Sequence, residues 1–387
     1  MREGWTYKKL GEVGNVVTGS TPSTKDAANY ASPDYCFVKP SDLPSTGIAV
    51  IDDSEFHISA KAFESARQLP KGSIVVSCIG IIGKVGILNK DACTNQQINA
   101  IIPNGTIMPK CLAYIICYKK SELEQIANAP VVPIINKGEF SKFLISVPPI
   151  SEQQSIVAEL DKINELISLK KAQLSDLDAL AQSIFYDMFG DPIENEKGWE
   201  VKKFGEVGEV ERGAGISKKD FVDEGLPCIH YGQLHTILGP ITKKHYTSIP
   251  ESLLPKYKIA HTGDLIMAIT SEDVEGSCKS TAWLGDYEIV VGSDAAILHH
   301  DQNGTFLSYY TMTKAFYNEK AKYAKGFKVT HISTKEIESI PVYLPPLSLQ
   351  QDFAKRIELI EQQKAQISST IKDLETLLAS RMQYWFD

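Results

Sequence analysis

The sequence predicts an α+β protein in which two mixed α/β domains are joined by two long helices pairing as an antiparallel coiled coil, a dumbbell with pseudo-twofold symmetry. Three observations carry this reading. GWTYKKLGEVGNVVTG at 4–19 returns as GWEVKKFGEVGEVERG at 198–213, with ten of sixteen positions identical. PPISEQQ at 148–154 returns as PPLSLQQ at 345–351. After each Pro-Pro, apolar residues recur every seven positions for about five heptads. The offsets of 194 and 197 residues mark a duplicated domain, not the short period (about 20 to 50 residues) of a solenoid.

In chain order the plan is a first domain over 1–149, a helix over 150–192, a second domain over 193–346 and a second helix over 347–387. Within the domains, short apolar β-branched runs read as strands: SIVVS at 73–77, DLIMAI at 264–269 and EIVV at 288–291, set between Gly, Pro, Asn and Asp turns. The better helical stretches lie near 109–128 and 305–323. At each long helix Pro-Pro ends the preceding segment, Ser151 or Ser348 is placed to cap, and Gln154 or Gln351 occupies the reciprocal capping-box position.

The seam of the first helix comprises Ile156, Leu160, Ile163, Ile167, Leu174, Leu177, Ala181, Ile184 and Met188, with Lys170 as a charged intruder. Adding 197 gives the second: Phe353, Ile357, Ile360, Ile367, Ile371, Leu374 and Leu378, followed by Arg381 and Trp385, with Lys364 inside the stripe. Lys170 and Lys364 are expected to snorkel to Glu165 and Glu361. Phe189-Gly190-Asp191-Pro192 supplies a C′ glycine and a breaker for the first helix. Antiparallel pairing brings the chain termini close together.

The chain of 387 residues, 43% apolar and 23% charged, is too long for one ordinary core and has normal globular usage. SIVVSCIGIIG at 73–83 is too short and too broken by Gly and Ser to span a bilayer, so a soluble, cytoplasmic protein is expected. Seven cysteines without a C-x2-C pair read as buried reduced thiols. The net charge of -8 is uneven: 15 basic against 13 acidic residues over 1–149, 4 against 10 over 150–197, 16 against 19 over 198–346, and 5 against 6 over 347–387. Neither domain is a polyelectrolyte glove, so nucleic acid would be held by local patches or with help from a partner.

Catalytic motifs are missing. The sequence has no phosphate-binding Gly loop, no H-E-x-x-H and no Gly-x-Ser-x-Gly, and it lacks the Asn/Asp-Pro-Pro-Tyr/Phe and glycine-rich motifs of a DNA amino-methyltransferase. Glu200-Val201-Lys202 meets Thr6 at the repeat position and reads as a chance surface pair. His299 and His300 lack a third spaced ligand and read as structural.

Polar turns remain as candidate DNA contacts. TGSTPSTK at 18–25 offers Thr21 and Ser23 for a phosphate, and equally suits a plain surface turn. GIIGKVG at 80–86 offers Lys84, and TNQQIN at 94–99 offers Asn95, Gln96 and Gln97, amides that pair with adenine or, more commonly, cap a loop. The second domain offers Lys218 and Lys219, then His230, Tyr231 and Gln233, and KYAKGFKVTH with Lys325 and Lys328, a phosphate-facing loop or a solvated lysine face. Lys39, Ser41 and Lys279 complete the set.

Taken together, the pattern resembles the DNA specificity subunit of type I restriction-modification systems. The markers are Trp5 to Glu12 and Trp199 to Glu206, GSTPS at 19–23, GIIGKVGIL at 80–88, TNQQINAI, and Pro-Pro-x-Ser-x-Gln-Gln before each helix. The resemblance implies two target recognition domains, each reading one half of a split double-stranded DNA sequence, and a coiled coil that sets the spacer and docks modification subunits, two in number. It implies no chemistry and no cofactor or metal in this chain. S-adenosylmethionine is expected on the modification subunits, and ATP and Mg on restriction subunits. Two other readings compete: a self-sufficient nuclease or methyltransferase, which the missing motifs oppose, and a coiled-coil scaffold of another defence system whose domains bind protein or ligand.

Overall fold

The computed structural model describes residues 2–127, 132–216, 218–252, 257–324 and 329–387. These fall into two compact units, residues 1–171 with 370–387 and residues 172–369. Each unit thus contains one domain and part of both long helices. Among the described residues, no helix is long and apolar enough to cross a membrane.

In the first unit a five-stranded sheet runs in the order Gly14–Thr18, Ile98–Pro103, Ile74–Ser77, Val85–Leu88, Ile48–Ile51. Its first three pairings are antiparallel and the last is parallel. The run expected at 73–77 is this sheet's central strand, buried along its whole length, as an unbroken apolar stretch requires. A three-stranded sheet sets Tyr35–Val38 between His57–Ile58 and Ala92–Thr94, and Thr6–Lys9 pairs with Leu144–Val147.

The second unit repeats the order. Its five strands are Gly208–Arg212, Ala295–His300, Leu265–Ala268, Ser280–Trp283 and Ile241–Thr242. Register is kept as well: Gly14 lies opposite Pro103, and Gly208 opposite His300. A four-stranded sheet follows the order Thr247–Ile249, Leu226–Ile229, Ile289–Val291, Lys258–Ala260. The helices expected near 109–128 and 305–323 are each broken once, into Pro109–Tyr118 and Lys120–Ile126 and into Gly304–Tyr310 and Lys314–Ala321. Thr313 makes the second break by accepting from the Phe316 N–H as a new N-cap.

The repeated opening stretch is scaffold. The carboxylates of Glu12 and Glu206 accept from the N–H of Lys9 and Lys203 at 2.6 and 2.7 Å, closing one-turn helices whose Leu10 and Phe204 are fully buried. The following Gly14 and Gly208 touch the neighbouring strand: a Cβ there would stand 2.6 Å from the Ile102 carbonyl oxygen and 1.9 Å from that of His299. Backbone contact this close excludes any side chain.

The long helices span Ile150–Phe189 and Leu347–Phe386. Both start one residue before the expected cap, so Ser151 and Ser348 lie inside the first turn and the Ser-x-x-Gln box does not form. The preceding glutamines instead fasten each helix start to its domain. Gln153, fully buried, accepts from the Met108 N–H at 2.7 Å and donates to the Pro148 carbonyl at 2.9 Å. Gln350, also fully buried, accepts from the Asn303 N–H at 3.0 Å and donates to the Pro345 carbonyl at 2.8 Å. A helix start pressed against the domain cannot use water for these groups, and a long amide carries both a donor and an acceptor to them.

The pairing is antiparallel in each unit. In the first, Ile156, Val157 and Leu160 share a core with Leu378, Met382 and Phe386, and Lys171 pairs with Glu375 at 3.0 Å. The second unit holds the opposite ends, with Phe185 and Phe189 edge-on to Phe353 at centroid distances of 5.6 and 5.3 Å. Ile156, Leu160, Ile163, Ile167, Leu177, Phe353, Ile357, Ile360, Ile367 and Ile371 are buried as expected, while Leu174, Leu374 and Leu378 are half-buried. The last heptad is a correction. Ile184, Met188, Arg381 and Trp385 are only half-buried, and Phe185, Phe189, Met382 and Phe386 take the seam. A helix of 3.6 residues per turn drifts by about 20° per heptad from a seven-residue stripe, and one extra residue restores the seam at the same place in both helices. Lys364 snorkels as expected to Glu361 at 2.7 Å, and also reaches Asp178 at 2.8 Å. The expected meeting of the termini occurs in the first unit, where the Arg2 guanidinium donates to the Tyr384 carbonyl.

Candidate nucleic-acid interface

In the first unit the loops leaving four strands are tied into one edge. The N–H groups of Gly19 and Ser20 donate to the carbonyls of Ile98 and Thr94, and those of Asn95 and Cys78 to the carbonyls of Val38 and Gln97. Gly19 is required at this crossing, since a Cβ would lie 2.1 Å from the Asn95 carbonyl oxygen. Four of the expected contact residues meet there. Thr21 donates to the Gln96 side chain at 2.6 Å, both exposed, whereas Asn95 is buried and donates to the Gln97 amide oxygen at 2.8 Å. Asn95 therefore shapes the turn and Gln96 faces outward.

Lys39, Ser41 and Lys84 gather around Pro40. The Lys84 ammonium donates to the Pro40 carbonyl at 3.0 Å, and the Lys39 ammonium sits 2.9 Å from the centre of the Phe56 ring, a cation–π contact. Ser41 is exposed on the one-turn helix Pro40–Asp42. Ser23 is also exposed, and its carbonyl accepts from Asn29.

The second unit builds the matching edge with other residues. Gly213 crosses the strand end as Gly19 does, 2.2 Å from the Gly292 carbonyl oxygen for a hypothetical Cβ. His230 caps the helix Tyr231–Thr236, at the place of Lys39 before Pro40–Asp42. Gln233 is buried, accepting from the His230 N–H at 3.1 Å and donating to Thr247 at 3.2 Å. It fastens the cap of this short helix, and the exposed Tyr231 carries the outward face of the turn. Lys279 corresponds to Lys84: each carbonyl accepts from the end of the central strand, at Ser77 and Ala268, and the Lys279 ammonium likewise holds a carbonyl of the short helix, that of His235 at 3.1 Å. Lys219 is exposed on the turn Lys218–Asp220. The Lys218 side chain, Lys325 and Lys328 lie outside the described residues.

The edges also differ in the segment after the central strand. In the first unit it runs Ile79 to Lys84, with Ile81 62% exposed. The second unit has Thr270 to Lys279, bearing Glu272, Asp273 and Glu275. This acidic loop borders a groove of about 1180 Å³ that Tyr231, Lys279, Tyr309 and Lys364 also line. From beneath, the buried Lys320 ammonium donates to the carbonyls of Glu275 and Ser277 at 2.8 and 2.5 Å, and burial lowers its proton affinity. Arg67 is a further edge residue, donating to the Thr18 carbonyl at 2.7 Å while exposed; an isolated Arg in ESARQ carries no motif from which to find it.

Two clusters have catalytic-looking composition. Cys36 and His57 both bond Asp53 Oδ1, at 3.4 and 2.8 Å, and these contacts, His57 first, hold the Asp53 carboxyl down to about 2. The carboxylate stands between thiol and imidazole, so His57 cannot take the Cys36 proton as a general base would. In the other, the turn His261–Asp264 brings His261 and Asp264 beside His299, which has no third ligand at close spacing in the sequence.

Comparison with known proteins agrees with this two-unit plan. The family model described as "Type I restriction modification DNA specificity domain" matches residues 2–179 and again 196–376. The chain is 26% identical to the type I restriction enzyme MjaIX specificity subunit of Methanocaldococcus jannaschii, over 92% of this chain and 86% of that one. It is 32% identical to the EcoR124I/EcoR124II specificity subunit of Escherichia coli, over 41% of each. The fold is similar to that of the type I restriction-modification system S subunit from M. genitalium, with a TM-score of 0.54 at 13% identity, over 99% of this chain and 96% of that one. A chain from a study of complex assembly in a type I system gives a TM-score of 0.57 at 19% identity, over 99% and 97%.

Proposed function

The chain belongs to the type I restriction modification DNA specificity family, and we propose that each of its units reads one half of a bipartite double-stranded DNA target. One observation carries this reading: the two units share sheet order and register, yet their loop edges share almost no side chains. A common scaffold with unlike edges suits two unlike half-sites. Thr21, Gln96, Ile81 and Arg67 face the first half-site, and Tyr231, His230 and the acidic loop at 272–275 face the second. Amides pair with adenine, carboxylates accept from the cytosine amino group, and an exposed aliphatic side chain packs on the thymine methyl. Lys84 and Lys279, each with one N–H given to a carbonyl, keep two for a phosphate.

The chain does no chemistry itself in this reading. The antiparallel helices set the spacer and dock two modification subunits carrying S-adenosylmethionine, and restriction subunits bring ATP and Mg; the complex works in the cytoplasm. The test is to reconstitute the chain with its modification subunits and map methylated bases. Gln96→Ala should relax one half of the methylated sequence and Tyr231→Ala the other. Methylation of all DNA alike, or both halves changing with one substitution, would overturn the proposal.

A further inference from the structure

One end of the second unit gathers two histidines and three carboxylates. His299 Nδ1 lies 2.8 Å from Asp264 Oδ2, and His261 Nδ1 lies 3.6 Å from the same oxygen. The ligand atoms of His261, Asp264 and His299 are all within 4.8 Å of one another. On the outer sides, Glu288 is 3.5 Å from His261 Nε2 and Glu211 is 4.0 Å from His299 Nε2. Lys258 pairs with Glu211 at 2.5 Å, so the three carboxylates outnumber this cation.

The backbone does not require this cluster. The same turn is built in the first unit: the Gly72 N–H donates to the Leu88 carbonyl and the Gly263 N–H to the Trp283 carbonyl, both at 2.7 Å. By this correspondence and the shared register, the first unit has Pro70, Ser73 and Ile102 where the second has His261, Asp264 and His299. A plain turn-fastening role accounts for part of the cluster, since Asp264 Oδ2 accepts from the His261 N–H at 2.7 Å and bonds His299. It does not account for the His261 ring, which is 59% exposed and stands between Asp264 and Glu288.

We propose that His261, Asp264 and His299 bind one divalent ion of the zinc class, with water completing the shell. Imidazole nitrogen with a single carboxylate suits zinc and its neighbours, whereas calcium and magnesium favour all-oxygen shells. Glu211 and Glu288 lie where carboxylates orient ligating imidazoles and raise their basicity. The ion would join the turn His261–Asp264 to the strand Ala295–His300. The Cys36, Asp53 and His57 group is a poorer site, because Lys90 stands 3.6 Å from Asp53 and opposes a cation.

The experiment uses the full chain, dialysed against zinc and assayed for bound metal, with cobalt(II) titrated in parallel and followed by absorption. One zinc per chain is expected, weakened at least about tenfold by His261→Ala and by His299→Asn and unchanged by His57→Ala. The cobalt complex should show d–d bands without a thiolate charge-transfer band. His261→Ala removes an exposed ring, so its fold is kept and circular dichroism checks this. Absence of bound zinc, equal binding by His261→Ala and the wild type, or a thiolate band would each overturn the proposal.

Discussion

Replacing Gln153 separates two accounts of how the long helices begin. Its amide is fully buried and serves the Met108 N–H and the Pro148 carbonyl. Gln153→Ala leaves both groups without that partner in a site closed to water, and each orphaned group costs about 1–3 kcal/mol. The expected loss is therefore about 2–6 kcal/mol, a large part of the stability a domain commonly has. The neighbouring Gln154 is exposed, so Gln154→Ala should stay within about 0.5 kcal/mol. A capping box at Ser151 would instead make Gln154 the costly residue, at about 1 kcal/mol. Urea unfolding followed by circular dichroism measures both, and Gln350→Ala should destabilise the other unit by a similar amount. Gln153→Glu keeps the acceptor for Met108 but places a second acceptor against the Pro148 carbonyl, so its penalty should shrink as pH falls and the carboxyl protonates. If Gln154→Ala proved the more damaging change, or Gln153→Ala cost less than about 0.5 kcal/mol, the assignment of the buried amide would be wrong.

Three further outcomes follow from the packing. Phe353→Ala should cost about 3–5 kcal/mol in urea unfolding, because Phe353 is fully buried among Phe185, Phe189 and Tyr309; Ile184→Ala, at a half-buried position, should cost clearly less. Burial pushes the thiols of Cys78, Cys93, Cys111 and Cys278 up to about 12, so a disulfide reagent at neutral pH should reach them only after denaturant is added. Burial also raises the pKa of Tyr114, Tyr309 and Tyr310 above the ordinary 10.0. Their stabilising contribution is complete below that value and is lost as pH rises from it towards the folded-state values, so the share of tyrosinate absorbance that belongs to these three should appear together with unfolding and not before it.

The sequence by itself determined the duplication, the two long helices, most of their seam and the family. Those features are periodic or local, and a repeat of Trp, Gly and Glu at fixed spacing is visible without coordinates. Even the buried glutamines stand in Pro-Pro-x-Ser-x-Gln-Gln, though the capping-box pattern points to the other member of each pair, because capping rules describe a helix start in water and this one is pressed against a domain. Tertiary structure decided the rest. It turned Asn95 and Gln233 inward and left Gln96 and Tyr231 outward, since burial depends on which strand end a turn crosses. It moved the last heptad to Phe185, Phe189, Met382 and Phe386, where helical drift outweighs a strict seven-residue repeat. It also brought His261 and Asp264 to His299 across more than thirty residues, because strand register, not distance along the chain, sets which side chains meet.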